Sequence, residues 1–372
     1  MSAENKSRRI HELDLLRGFF ICVIILDHLQ FWPSPFQYMT GQGKLWASAA
    51  EGFFLISGLL VGYLRAYKGA HTPLRVLTKK LLSRAAMLYM WGVLITFVVV
   101  ALSVLLPGDG SRLPRLPDST QVSSLFTYVT QVISTNFTGD WIYFLRLYAI
   151  MLAVTPLFLW LIRKGWWWIG ALISVSLYAL SWLLPINEAG LQWQILFFGA
   201  ALLGWKLEAI TGWLRANPLL KKSIMASLIA ITFMTFALSY FMVHGWSYVE
   251  SPKPHPLTRE TYVSIRANID PLFSNNPMAP LRVLLAFTWF SGLLALFHLL
   301  KGWLLKWLDW ILLPFGTASL TAYCLQALVL PFIVTFVTVT SNFWLNGLMA
   351  SAVLLLFLVL IKLPLVRRVL PR

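Results

Sequence analysis

An arginine, an aspartate and a histidine occur within one long apolar segment. Residues 16–30 read LRGFFICVIILDHLQ, with nine uncharged residues between Arg17 and Asp27 and with His28 immediately after. On a helix, positions 17 and 28 are separated by about three turns plus 20°, and by about 16 Å along the axis. Both side chains therefore project from one helix face, one near each end of the segment.

These residue types indicate acid–base chemistry inside a membrane, where an ionisable side chain is a functional candidate by default. A histidine can take a proton from a hydroxyl and return it near neutral pH, once a second group fixes its tautomer. Asp27 points about 100° away from His28 on a helix, so we predict Glu51, early in the next apolar segment, as the orienting partner. The candidate catalytic residues are His28, Asp27 and Glu51.

The composition is typical of an integral membrane protein. Of the 372 residues, 58% are hydrophobic and 12% are charged, whereas soluble domains carry about 25% charged residues. Apolar segments long enough to cross a membrane predict an all-α protein with about ten transmembrane helices and no soluble domain. The predicted spans are 16–33, 46–66, 83–106, 141–162, 166–185, 191–210, 222–243, 281–300, 311–337 and 343–361.

The distribution of basic residues predicts the orientation and excludes nucleic acid as the reason for the net charge of +16. With a cytoplasmic N-terminus, most Lys and Arg fall on the inner side, so both termini are expected in the cytoplasm. Anionic lipid headgroups are the expected partners of these charges. Residues 1–372 then form a single polytopic domain, with outer loops at about 107–140 and 244–280. The two cysteines lack metal-ligand spacing, so no metal is predicted.

Six segments of the chain resemble, in order, those of a membrane acyltransferase family. ELDLLRGFFICVIILDHL and AAEGFFLISGLLVGYL are similar to the first two helix signatures of the acyltransferase-3 superfamily. Four further segments resemble its OpgC-like branch: LTKKLLSRAAMLYMWGVL, WQILFFGAALLGW, NNPMAPLRVLLAF and FGTASLTAYCL. The chain departs from that branch at 274–276, where Ser-Asn-Asn stands in place of an expected lysine.

The resemblance implies an enzyme of the bacterial inner membrane that uses cytoplasmic acyl-CoA, either succinyl-CoA or acetyl-CoA. It implies transfer of the acyl group, succinyl in this branch, to a hydroxyl of an osmoregulated periplasmic glucan. We expect Arg17, Lys80 and Arg84 to bind the CoA phosphates, because Arg and Lys bind phosphate well. His28 then acts as the general base or carries the acyl group itself.

Four further residues are expected to bind the substrates. Arg282 is the candidate cation for a succinyl carboxylate, and Trp193 is a candidate ring for stacking on a sugar. Ser57 and Gln194, together with Arg282, are candidate donors of a hydrogen bond to the oxyanion.

Other functions stay open. An O-acetyltransferase of another surface polysaccharide would use the same residues. A polytopic transporter or flippase also fits ten spans with buried charges, although the sequence shows neither repeated halves nor a pair of broken helices. A third alternative is a non-catalytic partner that retains the fold, and a homo-oligomer is equally compatible with the sequence.

Overall fold

The computed structural model describes residues 10–106, 124–134, 137, 140–183 and 189–371. Within these ranges the chain forms α-helices without a β-strand. In chain order they are α1 (His11–Leu29), α2 (Gln37–Thr40), α3 (Ala49–Val61), α4 (Leu74–Leu105), α5 (Leu125–Ile133), α6 (Tyr143–Arg163), α7 (Trp167–Leu183), α8 (Ala189–Trp205), α9 (Leu207–Ala216), α10 (Pro218–His244), α11 (Trp246–Val249), α12 (Arg259–Ile269), α13 (Pro280–Leu299), α14 (Lys301–Trp307), α15 (Asp309–Thr317), α16 (Ser319–Phe336), α17 (Phe343–Leu360) and α18 (Pro364–Val369). Most of the predicted outer loop at 107–140 lies outside the described residues.

The helices confirm the predicted all-α membrane class. Seven of the described helices are long and apolar enough to cross a membrane, or eight if α8 and α9 form one span. The seven are α3 with its continuation to Tyr67, α4, α6, α10, α13, α16 and α17. Helix α7 has only 17 residues, and α1, which carries the candidate site, is not among the seven. The count of about ten spans therefore stays a prediction.

Two of the predicted spans are bent or broken. Helices α8 and α9 meet at 56°, and α9 buries none of its residues. The predicted span 311–337 is divided at Ala318, whose backbone leaves the helical conformation at φ −111° and ψ 29°. Pro314 lies inside α15, one turn before this break. The prediction of one uninterrupted helix at 311–337 was wrong.

Helix α1 is surrounded by other helices, and glycines allow the closest of these contacts. It packs against α3, α13, α15, α16 and α17. A Cβ atom at Gly18 would lie 2.0 Å from the carbonyl oxygen of Leu312, and one at Gly316 would lie 1.8 Å from that of Asp14. The backbones of α1 and α15 therefore touch directly, as small residues permit in membrane helix pairs.

The pair α3 and α8 repeats this arrangement. Cβ atoms at Gly58 and Gly204 would lie 2.1 Å from the Phe197 carbonyl and 2.0 Å from the Leu59 carbonyl. The two helices bear Glu51 and Trp193 near their N-terminal ends, so their close contact fixes two walls of the candidate site.

We expect Gly58→Ala to destabilise the protein by about 1–3 kcal/mol, because the added methyl group overpacks a backbone contact. The thermal unfolding midpoint in detergent would measure this loss. Gly212→Ala is the matched control, because nothing lies within 4 Å of the Cβ position at Gly212. Equal midpoints for the two variants would contradict the close α3–α8 crossing.

Candidate active site

A cavity of about 380 Å³ lies at the end of the bundle where α1 ends. Asp27 and His28 line it from α1, and Gln30, Gln42 and Ser48 line it from the segment that joins α1 to α3. Its aromatic walls come from α3, α6, α8 and α16 and comprise Phe53, Phe54, Tyr143, Phe144, Trp193 and Tyr323. The size and the mixture of rings with a few polar groups are typical of a small-molecule site.

His28 is held on two sides. Its Nδ1 lies 3.2 Å from Oε1 of Gln326, a fully buried residue of α16. Its ring stacks on Trp141, with ring centroids 5.4 Å apart and planes 15° apart. If Nδ1 carries the proton and donates it to the amide oxygen, Nε2 is the basic nitrogen of the neutral ring. The group that contacts Nδ1 of the imidazole is therefore Gln326, and the catalytic role of Glu51 stays a prediction.

Asp27 faces the same cavity as His28. The Thr40 side chain lies close to its carboxylate. Its Oδ1 atom is buried and has no hydrogen-bond partner among the described residues. A Cβ atom at Gly43 would lie 3.4 Å from the Asp27 carboxyl carbon, so the backbone of Gly43 closes over the carboxylate.

The segment that joins α1 to α3 forms one wall of the cavity and is hydrogen-bonded to two helices, α10 and α17. The Trp46 amide donates to Ser239 Oγ at 2.9 Å, and Asn346 Nδ2 donates to the Pro33 carbonyl at 2.8 Å. His244 Nε2 lies 2.9 Å from the carbonyl oxygen of Gly41. These bonds hold the polar wall in place.

A turn in this segment has a left-handed backbone, with φ of 57° at Gly41, 58° at Gln42 and 70° at Gly43. Such values suit glycine but are uncommon for glutamine. Gln42 lines the cavity. A strained polar residue at a cavity wall is a frequent feature of functional sites. The sequence analysis did not single out this turn, although Gly-Gln-Gly is a recognisable turn signal.

Glu51 and Arg282 form a buried ion pair and do not face the reacting groups. Arg282 Nε and Nη2 lie 2.6 and 2.5 Å from Glu51 Oε1, and Arg282 Nη1 donates to the Phe273 carbonyl at 3.2 Å. The other oxygen of Glu51 accepts hydrogen bonds from the backbone and the hydroxyl of Ser48. The Arg282 guanidinium is thus paired with a carboxylate of the protein itself, and the expectation that it binds a substrate carboxylate stays a prediction.

Ser57 and Gln194 also have structural partners. The Ser57 hydroxyl donates to the Phe53 carbonyl of its own helix at 2.9 Å. Gln194 donates to the Ser174 carbonyl at 2.7 Å and accepts from the Ser174 hydroxyl at 2.6 Å, which joins α8 to α7. Neither lines the cavity, and the expectation that they donate to an oxyanion stays a prediction. Trp193, one residue before Gln194, does line it.

Arg17 and Arg84 come together on the other side of the bundle interior. Arg17 lies within electrostatic range of Arg84, Asp14 and Tyr148. Lys80 is exposed one helical turn before Arg84. Two guanidinium groups and one acid are thus within electrostatic range of one another, which gives the environment of Arg17 a net positive charge. The structure thus places Arg17 near Arg84. Lys80 lies on the same side of α4 as Arg84, because the two are four residues apart.

A comparison with known protein families shows which family the chain belongs to. A protein-family model described as OpgC protein matches residues 9–368. The chain belongs to the OpgC family. No curated protein and no solved structure matches the chain significantly.

Membership of the OpgC family confirms the resemblance found in the sequence and implies acyltransferase activity. The family match runs through the first helix, which contributes Asp27 and His28 to the cavity. Among the described residues, no group of three or more His, Cys, Asp or Glu could hold a metal ion.

We expect Arg282→Met to cost about 3–5 kcal/mol of stability, because it leaves Glu51 buried without its counter-charge. The double variant with Glu51→Leu should recover most of this loss, since replacing both members of a buried pair with apolar residues is often neutral. Thermal unfolding of both single variants and the double variant would measure the coupling. Additive losses would contradict the buried pair.

Proposed function

We propose that the chain transfers an acyl group from cytoplasmic acyl-CoA to a hydroxyl of a periplasmic glucan, in the cavity beside His28. The observation that carries this proposal is the position of His28. The imidazole lines a cavity with room for a sugar unit, stacks on Trp141 and is oriented through Nδ1 by Gln326. Family membership supports the acyltransferase class.

In the proposed reaction, His28 Nε2 removes the proton from a sugar hydroxyl, and the oxygen attacks the thioester carbonyl. The carbon–sulfur bond then breaks, and the imidazolium returns its proton to the departing CoA thiolate. Asp27 is the proposed partner of the acceptor, because its unpaired Oδ1 can accept a hydrogen bond from a sugar hydroxyl. Acylation of His28 itself, followed by transfer to the sugar, is the alternative route.

The donor would enter from the opposite side of the bundle. Arg17 and Arg84 form the basic pair expected for the CoA phosphates, with Lys80 nearby. About 16 Å of helix separates Arg17 from His28, at 1.5 Å per residue. Leu147 lines the cavity, and its neighbour Tyr148 is within electrostatic range of Arg17. In this proposal the extended arm of CoA runs along α6 from Arg17 toward the cavity.

The acyl group is succinyl by analogy with the family. The residues that line the cavity include no lysine or arginine, and Arg282 is bound to Glu51. A succinyl carboxylate would therefore be stabilised by the amides of Gln30 and Gln42, or by His28 once it is protonated. An acetyl group would need none of these contacts, which keeps the acetyltransferase as the alternative.

The helix breaks do not favour a transporter. Transporter sites lie at broken helices near the middle of the membrane. Here α9, beyond one break, is unburied, and the other break, at Ala318, lies two residues after Gly316, which packs against Asp14 near the start of α1. Neither break borders the cavity.

We expect His28→Ala to abolish acylation of the glucan, because the variant lacks the imidazole that removes the proton from the acceptor hydroxyl in the proposed reaction. Mass spectrometry of glucan from a deletion strain that carries wild-type protein or the variant would measure this. The wild-type mass increment identifies the group as succinyl or acetyl. Full acylation by the variant at wild-type protein levels would overturn the proposed mechanism.

Gln326→Leu should lower kcat by about 10- to 100-fold, the range seen when a partner that orients a histidine is lost. Gln326→Glu, which keeps an oxygen acceptor for Nδ1, should recover activity and shift the pH profile upward, because a carboxylate stabilises the imidazolium. Steady-state rates over a range of pH would measure both effects. Unchanged kcat and an unchanged profile would contradict the role of Gln326.

Arg84→Gln should raise the KM for acyl-CoA by about 10- to 100-fold, because a charge-assisted hydrogen bond contributes about 1.5–3 kcal/mol. The KM for the glucan should not change. Arg75→Gln is the matched control, since Arg75 is exposed in the first turn of the same helix. Equal effects of the two substitutions would contradict a phosphate site at Arg84.

A further inference from the structure

The segment between α10 and α13 contains an open cleft of about 550 Å³, separate from the cavity beside His28. Trp246 of α11 and Arg266 of α12 line it, together with Asp270 and Ser274 from the turn after α12. The proposed reaction uses none of these residues.

The polar groups of the cleft form a fixed and nearly neutral unit. Arg266 Nε donates to Asp270 Oδ2 at 2.9 Å, and Arg266 Nη2 lies 2.9 Å from the same oxygen. The guanidinium carbon is 5.7 Å from the centroid of the Trp246 ring and 5.9 Å from that of Tyr262. The salt bridge and the two rings therefore restrain the arginine, and the acid cancels its charge.

The floor beneath these groups is well packed. Tyr262 is fully buried, and its hydroxyl donates to the Met242 carbonyl at 2.7 Å. The Trp246 ring meets the Tyr262 ring edge to face at 4.9 Å. The cleft is thus built on a rigid base, which reduces the entropy lost when a ligand binds.

The chemistry of the cleft matches a neutral sugar. An indole offers an apolar surface for the C–H face of a pyranose, and a guanidinium paired with a carboxylate offers donors and acceptors for adjacent hydroxyls. A phosphate would be repelled by Asp270, and an apolar chain would desolvate the ion pair. We propose that this cleft is a second carbohydrate subsite, which binds a glucose unit of the acceptor glucan remote from the hydroxyl that reacts.

This proposal rests on the proposed function, and the structure connects the two sites. Phe273 lies in the same turn as Asp270, and its carbonyl accepts a hydrogen bond from Arg282. Arg282 binds Glu51, which in turn binds Ser48 in the wall of the cavity. A chain of hydrogen bonds therefore links the turn that lines the cleft to the wall of the cavity, and in this proposal a long glucan occupies both sites. Contacts with sugar units far from the reacting hydroxyl contribute to the affinity of an enzyme for its acceptor.

The test uses purified full-length protein in detergent, with acyl-CoA and gluco-oligosaccharides of increasing length. Trp246→Ala should raise the KM for long acceptors about tenfold, the equivalent of about 1.4 kcal/mol. The kcat and the KM for the shortest acceptor should stay at wild-type values. Trp246→Phe, which keeps an aromatic face, should have a smaller effect. Trp344→Ala is the control, because Trp344 is 75% exposed at the start of α17.

Binding of the long oligosaccharide without acyl-CoA, measured by calorimetry, separates the two proposals. Loss of this binding in Trp246→Ala, in a protein that transfers no acyl group, would support the subsite and reject the proposed function. Wild-type binding and KM in Trp246→Ala, alongside normal transfer, would overturn the subsite alone. A fall in kcat with every acceptor, together with a lower unfolding temperature, would assign Trp246 to folding and also overturn the subsite.

Discussion

Helix α1 must be packed against protein on nearly every side while it keeps ionisable groups on one interior face. Gly18 of α1 lies against the Leu312 carbonyl of α15, and Gly316 of α15 lies against the Asp14 carbonyl of α1, so the two backbones touch directly. No side chain fits between them there, so the polar groups of α1 lie toward other elements, where Arg17 is within electrostatic range of Tyr148 and the His28 ring stacks on Trp141. The position of the candidate site follows from this asymmetric packing.

The buried polar groups divide into those that the protein satisfies and those that it leaves available. Glu51 and Arg282 use their hydrogen-bonding capacity on each other, on Ser48 and on a backbone carbonyl. Asp27 keeps one carboxylate oxygen without a partner among the described residues. An unpaired buried acceptor costs about 1–3 kcal/mol, and a cost of this kind is more readily explained by binding of a substrate than by folding.

Local patterns in the sequence predicted the parts of the site that lie on one helix. The spacing of Arg17 and His28 follows from the helical period, and the apolar segments indicate the membrane class and most of the helices. Partners from distant parts of the chain could not be predicted in this way. Gln326 is 298 positions from His28, and Arg282 is 231 positions from Glu51. For these, helix packing decides which polar groups meet, and a single sequence carries no direct signal of that packing.

The continuity of α1 has a consequence for the choice of donor. Arg17 and His28 lie on one helix of 19 residues without a break, so the interval between the guanidinium and the imidazole is fixed. If, as we propose, a thioester donor binds with its phosphates at Arg17, only a carrier long enough to span that interval brings its carbonyl to His28. Under the same proposal, a small thioester without a phosphorylated tail would lack an anchor, and the length of α1 would select donors by the length of their carrier.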